Sequence, residues 1–454
     1  MKFRFLLFLT LLLLPGLLLA QKAKSPKALE KFAAQRPKNL SDTALLELVQ
    51  KQTFQYFWDG AHPNSGLARE RINLVTDPTR EVVTTGGTGF GIMAIVVAAE
   101  RGWITREQAA ERVLKIANFL WNADSFHGVY SHWIDGNTGK VIRFGVKDDG
   151  GDLVETAFLM QGLLTARQYF SENKPVENQL RNRVRQLWEN VEWDWHTKDG
   201  QDVLYWHWSP NNGWAKNHQV RGWNECLIMY VLAASAPKYA ISPQVYHKGW
   251  AVNNVFRNGR EYYGINLPLG THYGGPLFFA HYSFLGLDPR GLKDRYANYW
   301  DQNKSHTLIN RQHCIVNPKG YKGYGENSWG LTASDNHRGY SAHSPTNDLG
   351  VITPTAALSS FPYTPEYSMQ ALKYFYNNLG DKIWSEYGFV DAFSEEHDWY
   401  AKTHLAIDQG PIVGMIENYR TGLLWKLFME IPEIQTGLKR LGFESPQLKS
   451  TAGL

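Results

Sequence analysis

Cysteine is scarce in this chain of 454 residues, which contains only Cys226 and Cys314. Two cysteines exclude a disulfide-dense scaffold, although a single bridge between them stays possible in an exported protein. Cys226 stands in an apolar, helix-like run, so a buried free thiol is at least as good an interpretation. Neither cysteine has the surroundings of a catalytic nucleophile.

Several motifs that mark common enzyme classes are also missing. The chain has no phosphate-binding Gly-x-x-x-x-Gly-Lys-Ser/Thr loop, no His-Glu-x-x-His zinc motif and no Gly-x-Ser-x-Gly elbow. Its 15 histidines do not show metal-ligand spacing, so a zinc centre of distant histidines is a minor alternative. Asp135-x-Asn137-x-Gly139 resembles part of a calcium loop but lacks the later ligands and favours a turn. We therefore expect neither a metal nor a cofactor.

The net charge is also small, formally +4, and two of the cations that contribute to it stand at the N-terminus. Residues 1–20 begin with Lys2 and Arg4, continue as a Leu-rich run and end near Ala20, which predicts a signal peptide. Its removal would lower the formal net charge from +4 to +2, because two cations leave. An uncleaved anchor is the alternative, but the run is short for a membrane span. We expect a periplasmic or secreted protein with no nucleic-acid partner, and no membrane attachment after cleavage.

Aromatic residues, in contrast, are abundant: 17 Trp, 23 Tyr and 22 Phe. Such rings either fill a large core or line a groove in which they stack on the apolar faces of sugars. Many of them stand in segments rich in Gly, Asn and His, which are typical of loops. Both roles are therefore expected.

The chain alternates between apolar segments and amphipathic, charged segments of helical periodicity. A helix that is apolar on all sides is buried, and an amphipathic one covers it. The Gly-rich residues 84–91 are predicted to be a turn before an apolar helix over 92–100. The pattern predicts an all-α (α/α)₆ barrel in one domain, residues 41–445, after a polar leader (21–40) and before a tail (446–454). The predicted pairs are 92–100 with a helix from 105, 152–170 with 175–189, 224–234 with 242–253, 276–284 with 291–306, 354–358 with 364–379, and 411–429 with the tail.

Three carboxylates, Asp148, Asp152 and Glu155, stand within eight positions at the predicted start of one of these apolar helices. Asp152-x-x-Glu155 fits a capping box, which is the more common meaning of such a pair. Asp148 favours a catalytic interpretation, because acids held close together acquire separated pKa values. One residue can serve both purposes.

Further acids stand near the starts of other predicted inner helices. Each has a structural alternative: Glu225 as a cap, Glu326 and Asp335 as loop hydrogen-bonders, and Asp408 as an acid before the helix at Pro411. Glu417 and Arg420 are expected to pair on one helix. Two carboxylates with aromatic platforms are the requirements of glycoside hydrolysis, which the sequence fits best.

The motifs together resemble the bacterial glycoamylase-like domain, and more narrowly glycoside hydrolase family 144, the β-1,2-glucan hydrolases. They occur in order over about residues 41–442: TTGGTGFGIMAIVVAAERGWITR, DDGGDLVETAFLMQGLL, GWNE, YGENSWGLTASD and AIDQGPIVGMIENYRTGLLW. The resemblance implies an (α/α)₆ barrel and an exported, metal-independent, inverting enzyme that cleaves linear β-1,2-glucan to sophorooligosaccharides. The family's functional acids fall on Asp148, Asp152, Glu155 and Glu225.

We therefore predict an endo-acting β-1,2-glucanase that works as a monomer. An acid of the Asp148, Asp152 and Glu155 cluster would activate water, and Glu225 would serve in protonation or orientation. Alternatives are an exo-acting sophorohydrolase of the same family, a glucoamylase-like α-glucan hydrolase and a non-catalytic glycan-binding protein. The residues predicted to bind substrate are Trp133, Trp214, Trp223, His218, Tyr273, Glu326, Trp329, Asp335 and Asp408.

Overall fold

The computed structural model describes residues 26–76 and 81–449. The predicted signal peptide, the start of the leader and the end of the tail lie outside the described residues. The α-helices are α1 (Pro26–Ala34), α2 (Asp42–Trp58), α3 (Thr85–Glu100), α4 (Arg106–Asn122), α5 (Leu153–Tyr169), α6 (Pro175–Asn190), α7 (Leu227–Ser235), α8 (Tyr299–Val316), α9 (Pro354–Leu358), α10 (Pro365–Asn377), α11 (Gly380–Ile383), α12 (Ala406–Arg420), α13 (Leu423–Met429) and α14 (Pro432–Arg440).

Short antiparallel strands lie between the helices. The strands are β1 (Arg71–Asn73), β2 (Val82–Thr84), β3 (Trp133–Asp135), β4 (Val141–Ile142), β5 (Gly151–Asp152), β6 (His207–Trp208), β7 (Arg257–Tyr262), β8 (Ile265–Leu269), β9 (Ala333–Asn336), β10 (Gly339–Ala342), β11 (Trp384–Ser385), β12 (Gly388–Phe389), β13 (Phe393–Ser394), β14 (Trp399–Tyr400) and β15 (Thr403–Leu405). One sheet has three strands, β2-β3-β4, and the other pairs are β1-β15, β5-β6, β7-β8, β9-β10, β11-β12 and β13-β14. Four sheets are hairpins within one connection between helices, whereas β1-β15, β2-β3-β4 and β5-β6 join strands from different connections.

Helices α3, α5 and α7 form the apolar interior. Nearly every residue of each is buried, because their sequences are apolar on all faces. Helix α3 packs against α5 and α12, and α5 packs against α7. The amphipathic helices α4 and α6 pack on each other and cover α3 and α5 respectively. This layering confirms the predicted all-α class.

The Gly-rich residues before Ile92 are helical, so the prediction of a turn there is wrong. Helix α3 begins at Thr85, and two of its glycines, Gly86 and Gly89, face α5. A Cβ on Gly89 would lie 2.1 Å from the carbonyl oxygen of Phe158, and one on Gly162 would lie 2.1 Å from the carbonyl oxygen of Gly89. The glycines therefore serve the close contact of two helices, and burial of this contact outweighs their low helix propensity.

Two of the predicted pairs are less helical than their apolar patterns suggested. The segment predicted over 242–253 contains a single π-helical turn, Val245–Trp250, and a short 3₁₀ turn. The segment predicted over 276–284 forms two 3₁₀ turns, Leu277–Ala280 and Ser283–Leu285. A short apolar run is buried equally well in either form, so periodicity does not distinguish them.

The last predicted helix begins earlier than expected. Helix α12 starts at Ala406 and contains Pro411, which was predicted to start it. Glu417 and Arg420 do not pair with each other, contrary to the prediction. Glu417 accepts a 2.7 Å hydrogen bond from Arg101, and Arg420 binds Glu47, also at 2.7 Å. Both residues face α2 and α3, where buried partners outcompete a pair on the helix surface.

The second half of the predicted leader is docked on the helical body. Arg36 is buried, donates a 2.9 Å hydrogen bond to the carbonyl oxygen of Tyr376 and pairs with Asp381. This contact fixes α1 beside α10 and α11, which is firmer docking than a tether would show. Cys226 and Cys314 are both buried free thiols. No helix among residues 26–76 and 81–449 has the length and apolar character to cross a membrane.

Replacing Gly162 with alanine is expected to separate α3 from α5 and lower the free energy of unfolding by about 1–3 kcal/mol or more. Chemical denaturation monitored by circular dichroism measures the change. Gly325→Ala is the matched control, because no atom lies within 4 Å of a Cβ at that position. Equal stability of the two variants would contradict the proposed constraint.

Candidate active site

Connections from several parts of the chain converge on one cavity of about 450 Å³. Strand β3, the loop after β4, the starts of α5 and α7 and the β9–β10 hairpin each supply a wall. The lining residues are Glu70, Arg71, Thr84, His132, Trp133, Phe144, Val154, Glu155, Phe158, Trp206, Glu225, Phe278, Tyr282, Ala333, Tyr340, Leu405 and Ile407. Two of the four predicted catalytic acids, Glu155 and Glu225, are therefore on its surface.

Asp152 is both the cap of α5 and the centre of a charged network. One of its carboxylate oxygens accepts a 2.9 Å hydrogen bond from the Glu155 backbone N–H. The other lies 3.1 Å from Nδ1 of His132 and 3.3 Å from Nε2 of His207. Strand pairing of β5 with β6 places Asp152 directly opposite His207. The capping and electrostatic roles that the sequence left open thus coexist in one side chain.

The two histidines are held as cations by the carboxylates around them. Burial alone would lower the pKa of His207, but the charges of Asp152 and Asp148 raise it to about 9. Burial likewise opposes charging of His132, whose pKa Glu155 and Asp152 raise to about 9. In return, these cations outweigh burial and hold the pKa of Asp152 well below its usual range.

Asp148 lies behind this network. Its carboxylate forms ion pairs with Nε2 of His207 at 3.1 Å and with Nζ of Lys216 at 3.2 Å. Neither Asp148 nor Asp152 borders the cavity, and both are surrounded by cations. Their position suits stabilisation of charge and orientation of the neighbouring groups.

Glu155 enters the cavity beside α3. Its carboxylate accepts a 2.8 Å hydrogen bond from the backbone N–H of Gly86, and its other oxygen lies 3.9 Å from Nδ1 of His132. A Cβ on Gly86 would lie 2.5 Å from this carboxylate, so glycine is required there. Burial raises the pKa of Glu155, and the charge of Asp152 adds to the effect, although His132 and the Gly86 N–H oppose it.

Glu225 reaches the cavity from the segment that leads into α7. Burial raises the pKa of its carboxyl group to about 7, and the nearby charge of Glu155 adds to this shift. The hydroxyl of Ser283 donates a hydrogen bond to the carbonyl oxygen of Glu225 and fixes its backbone. A carboxyl group that stays protonated near neutral pH is suited to general acid catalysis.

A second group of acids, Asp335, Asp391 and Asp408, lies beside the opposite wall. Asp335 is bound by Arg71 and Thr403. Burial and the charge of Asp335 raise the pKa of Asp391 to about 7, whereas burial and the charge of Asp391 raise that of Asp408 well above its usual range. Each of these two buried carboxyls therefore opposes ionisation of the other. Sequence reasoning identified Asp335 and Asp408 but missed Asp391, which has no motif to distinguish it.

Aromatic side chains cover much of the remaining wall. Trp133 was predicted to bind substrate and does line the cavity, whereas Phe144, Trp206 and Tyr340 were not singled out. Phe144 stacks on His132 with a 4.0 Å separation of ring centroids, and Tyr340 is 50% exposed. The position of Phe144 four residues before Asp148 was the available signal.

Two predicted sugar-stacking residues are buried in the core, so these predictions are wrong. Trp329 is completely buried. Trp223 is 4% exposed and stacks on Tyr299, with 5.9 Å between ring centroids. Neither ring has a free face to offer a sugar, because core packing uses both.

Four other predicted substrate-binding residues lie away from the cavity wall. His218 is exposed and packs behind Trp206 at 5.0 Å. Trp214 borders a separate cleft, Tyr273 packs on Tyr262, and Glu326 is an exposed loop residue. Loops rich in Trp and Gly build several surfaces, and their sequences do not reveal which surface each side chain faces.

Asp152→Asn is expected to keep the helix cap but remove the charge that raises both histidine pKa values. Charged His132 and His207 stabilise the native protein fully below pH 6.5, the unfolded pKa, and this contribution is lost as the pH rises through about 9. The melting temperature should therefore fall less steeply over that window in Asp152→Asn than in the wild type.

Differential scanning fluorimetry at closely spaced pH values measures this slope. Asp124→Asn is the control, because it removes a carboxylate that pairs with the exposed Lys140. Asp152→Ala should lose about 1 kcal/mol more than Asp152→Asn because the cap is lost too. Parallel pH slopes for wild type and Asp152→Asn would contradict the assigned network.

Comparisons with known proteins place these features in a family. Residues 217–432 match the family model Glycoamylase, described as "Putative glucoamylase". A structure titled "putative glucoamylase" from Bacteroides uniformis is 64% identical, covers 91% of this chain and is itself covered completely, with a TM-score of 0.88. The endo-β-1,2-glucanase of Chitinophaga pinensis, in complex with sophorotriose and glucose, is 58% identical over 90% of this chain and all of its own, also with a TM-score of 0.88.

A curated relative has a different name. The exo β-1,2-glucooligosaccharide sophorohydrolase (non-reducing end) of Parabacteroides distasonis is 50% identical over 88% of this chain. The chain spans 58% of the length of that relative. Full coverage of two relatives at 58–64% identity, together with the matched family model, leads to one conclusion. The chain belongs to the bacterial glycoamylase-like family, glycoside hydrolase family 144.

Proposed function

We propose that this protein hydrolyses linear β-1,2-glucan to sophorooligosaccharides. The observation that carries the proposal is a cavity that presents the carboxyls of Glu155 and Glu225 among Trp133, Phe144 and Trp206. Paired carboxyls with aromatic platforms are what glycoside hydrolysis needs. Endo action has the further support that the Chitinophaga pinensis endo-β-1,2-glucanase is 58% identical along its full length.

In the proposed reaction, Glu225 protonates the glycosidic oxygen as the bond to the anomeric carbon breaks. Its raised pKa keeps the proton available near neutral pH. A carboxylate on the other side of the sugar removes a proton from the attacking water, which gives inversion at the anomeric carbon.

Two carboxyl arrangements are placed to supply this base. Glu155 lines the cavity, and its hydrogen bond from Gly86 and its nearby His132 cation favour the ionised form. The pair Asp391 and Asp408 adjoins the cavity through Ile407, and each acid raises the pKa of the other, so one of them can take up a proton from water. Azide restores turnover when a base is removed, so Glu155→Gln and Asp408→Asn tested with azide would distinguish them.

We further infer that the interior segments close into an (α/α)₆ barrel. Helix α12 packs on α3, α3 packs on α5, and α5 packs on α7. Helix α7 then packs on the second of the two 3₁₀ turns over 277–285, which contacts the first. His281 hydrogen-bonds Ser360 just after α9, and α9 packs on α12, which would complete the ring. We also propose export through residues 1–20 and action as a monomer in the periplasm or outside the cell.

A time course of products from linear β-1,2-glucan is expected to show mixed sophorooligosaccharides early. An endo-acting enzyme binds the middle of a glucan chain and cuts internal bonds, so long and short fragments appear together. High-performance chromatography resolves them, with starch, laminarin and cellulose as controls. Sophorose alone from the start would identify the exo form, and activity on starch alone would overturn the proposed substrate.

Glu225→Gln is expected to reduce kcat on the glucan by a factor of about 10²–10⁴. The loss of kcat should be far smaller on an aryl sophoroside, because its leaving group needs no protonation. In the wild type, kcat/KM should fall as the pH rises through about 7, since the acid loses its proton, and this limb should disappear in the variant.

Glu326→Gln is the matched control, because Glu326 is an exposed carboxylate away from the cavity. Its pH profile should be that of the wild type. If Glu225→Gln lost as much kcat on the aryl sophoroside as on the glucan, this result would contradict the acid role of Glu225.

A further inference from the structure

Two adjoining clefts lie outside the candidate active site. One, of about 330 Å³, is lined by Trp195, Trp214 and Tyr239, and the other, of about 410 Å³, is lined by Trp121 and His127. Both clefts are lined by Glu192 and Tyr239, so they adjoin, and we treat them as one groove. We call it the Trp195 groove.

The Trp195 groove and the active site lie on opposite faces of strand β6. Side chains alternate along a strand, and His207 pairs with the acids of the active site. Trp208, the next residue, contacts Trp195 at 6.1 Å and His127 at 5.1 Å between ring centroids. None of the groove's lining residues lines the active-site cavity.

Several aromatic side chains of the groove are partly exposed. Trp195 is 39% exposed, Trp121 is 41% exposed and Tyr239 is 45% exposed. Core packing would cover such rings, and exposed aromatic surfaces gathered in one groove indicate a binding site. Rings in this arrangement suit the apolar faces of successive sugar units.

The platforms are held rigidly. The His127 ring stacks on Trp195 with centroids 3.8 Å apart, and its Nδ1 lies 2.8 Å from a carboxylate oxygen of Glu192. Arg183 lies over Trp121, 4.6 Å from the ring centroid. Such pre-organised rings lose little entropy when a ligand binds.

The backbone of the groove is also constrained. His127 and Tyr239 have φ values of 54° and 58°, in the left-handed region that such residues seldom adopt. Backbone hydrogen bonds from Glu192 and Asp194 to their carbonyl oxygens hold them there. Strain that the surroundings maintain in this way concentrates at functional sites.

The charges of the groove restrict the ligand. Its carboxylates outnumber its cations: Glu189, Glu192, Asp194 and Asp199 against Lys238. Lys238 is itself paired with Glu189 at 3.2 Å. An anionic polymer would be repelled, whereas carboxylates accept hydrogen bonds from the hydroxyl groups of a neutral sugar.

We propose that the Trp195 groove is a second saccharide-binding site, which holds a distant part of the same neutral glucan strand that the active site cleaves. This inference rests on the proposed function for the identity of its ligand. A strand held at both places has a higher effective concentration at the cavity, which favours long substrates. Short oligosaccharides that fill the cavity alone gain nothing from the groove.

The test compares the wild type with Trp195→Ala/Tyr239→Ala on long β-1,2-glucan and on sophorotetraose. The KM for the long glucan should rise about five- to tenfold with kcat unchanged, and both constants for sophorotetraose should stay as in the wild type. Tyr419→Ala is the matched control, because Tyr419 is 43% exposed and lies on α12. Tyr239→Ala alone should give part of the rise in KM for the long glucan. This single variant keeps the test valid if the double variant does not fold.

Unchanged KM for the long glucan, or equal changes for both substrates, would overturn the groove as a separate site. Affinity electrophoresis in gels that contain β-1,2-glucan, with Glu225→Gln as the background, measures binding without turnover. Weaker retardation of the double variant supports the proposal, because binding at the active site remains, whereas retardation equal to that of Glu225→Gln alone would overturn it. If the wild type cleaves no β-1,2-glucan, the proposed function fails, and gels with other neutral glucans still decide whether the groove binds saccharide.

Discussion

The close contact of α3 with α5 is the constraint on which the candidate site depends. Gly89 and Gly162 allow the two backbones to touch, and Gly86 leaves space for the carboxylate of Glu155. One helix pair thus serves as core and as support for a reacting group, because the same missing side chains permit both. Any side chain larger than hydrogen at these positions would move Glu155 relative to Glu225 across the cavity.

Electrostatics then divides the acids into two kinds. Asp148 and Asp152 are surrounded by His207, His132 and Lys216, which stabilise their charge. Glu155 and Glu225 are buried with fewer cations around them, so burial raises their pKa values. Asp152, Glu155 and Glu225 therefore differ in acidity although all three are buried, and the difference comes from their charged neighbours.

The sequence was informative where local chemistry decides the structure. The cap at Asp152 and the all-α class follow from residue types and spacing, whereas the grouping of Glu155 with Glu225 followed from the family resemblance. It was misleading where tertiary contacts decide. A glycine-rich run typical of a turn became helical in α3, because tight packing with α5 outweighed propensity. Trp223 and Trp329 became core residues, since a tryptophan in a Gly-rich loop can point either way.

Partners that are distant in the sequence were out of reach of pattern analysis. Asp391 gains its importance only from Asp408 and Asp335, which contact it across the fold. Phe144 matters because it stacks on His132. The contacts themselves leave no trace in local periodicity, although the position of Phe144 four residues before Asp148 was a signal for that residue.

The rim of the helical body consists of many small sheets rather than one large sheet, and most of them have only two strands. Four of these sheets, β7-β8, β9-β10, β11-β12 and β13-β14, are hairpins within one connection, so a change in one of them does not propagate through a shared ladder. In evolutionary terms these hairpins are modular. A longer hairpin that closes one end of the cavity, or a shorter one that opens it, can arise without loss of the helical core. Relatives with different modes of attack on a polymer can therefore diverge from a common body by single insertions.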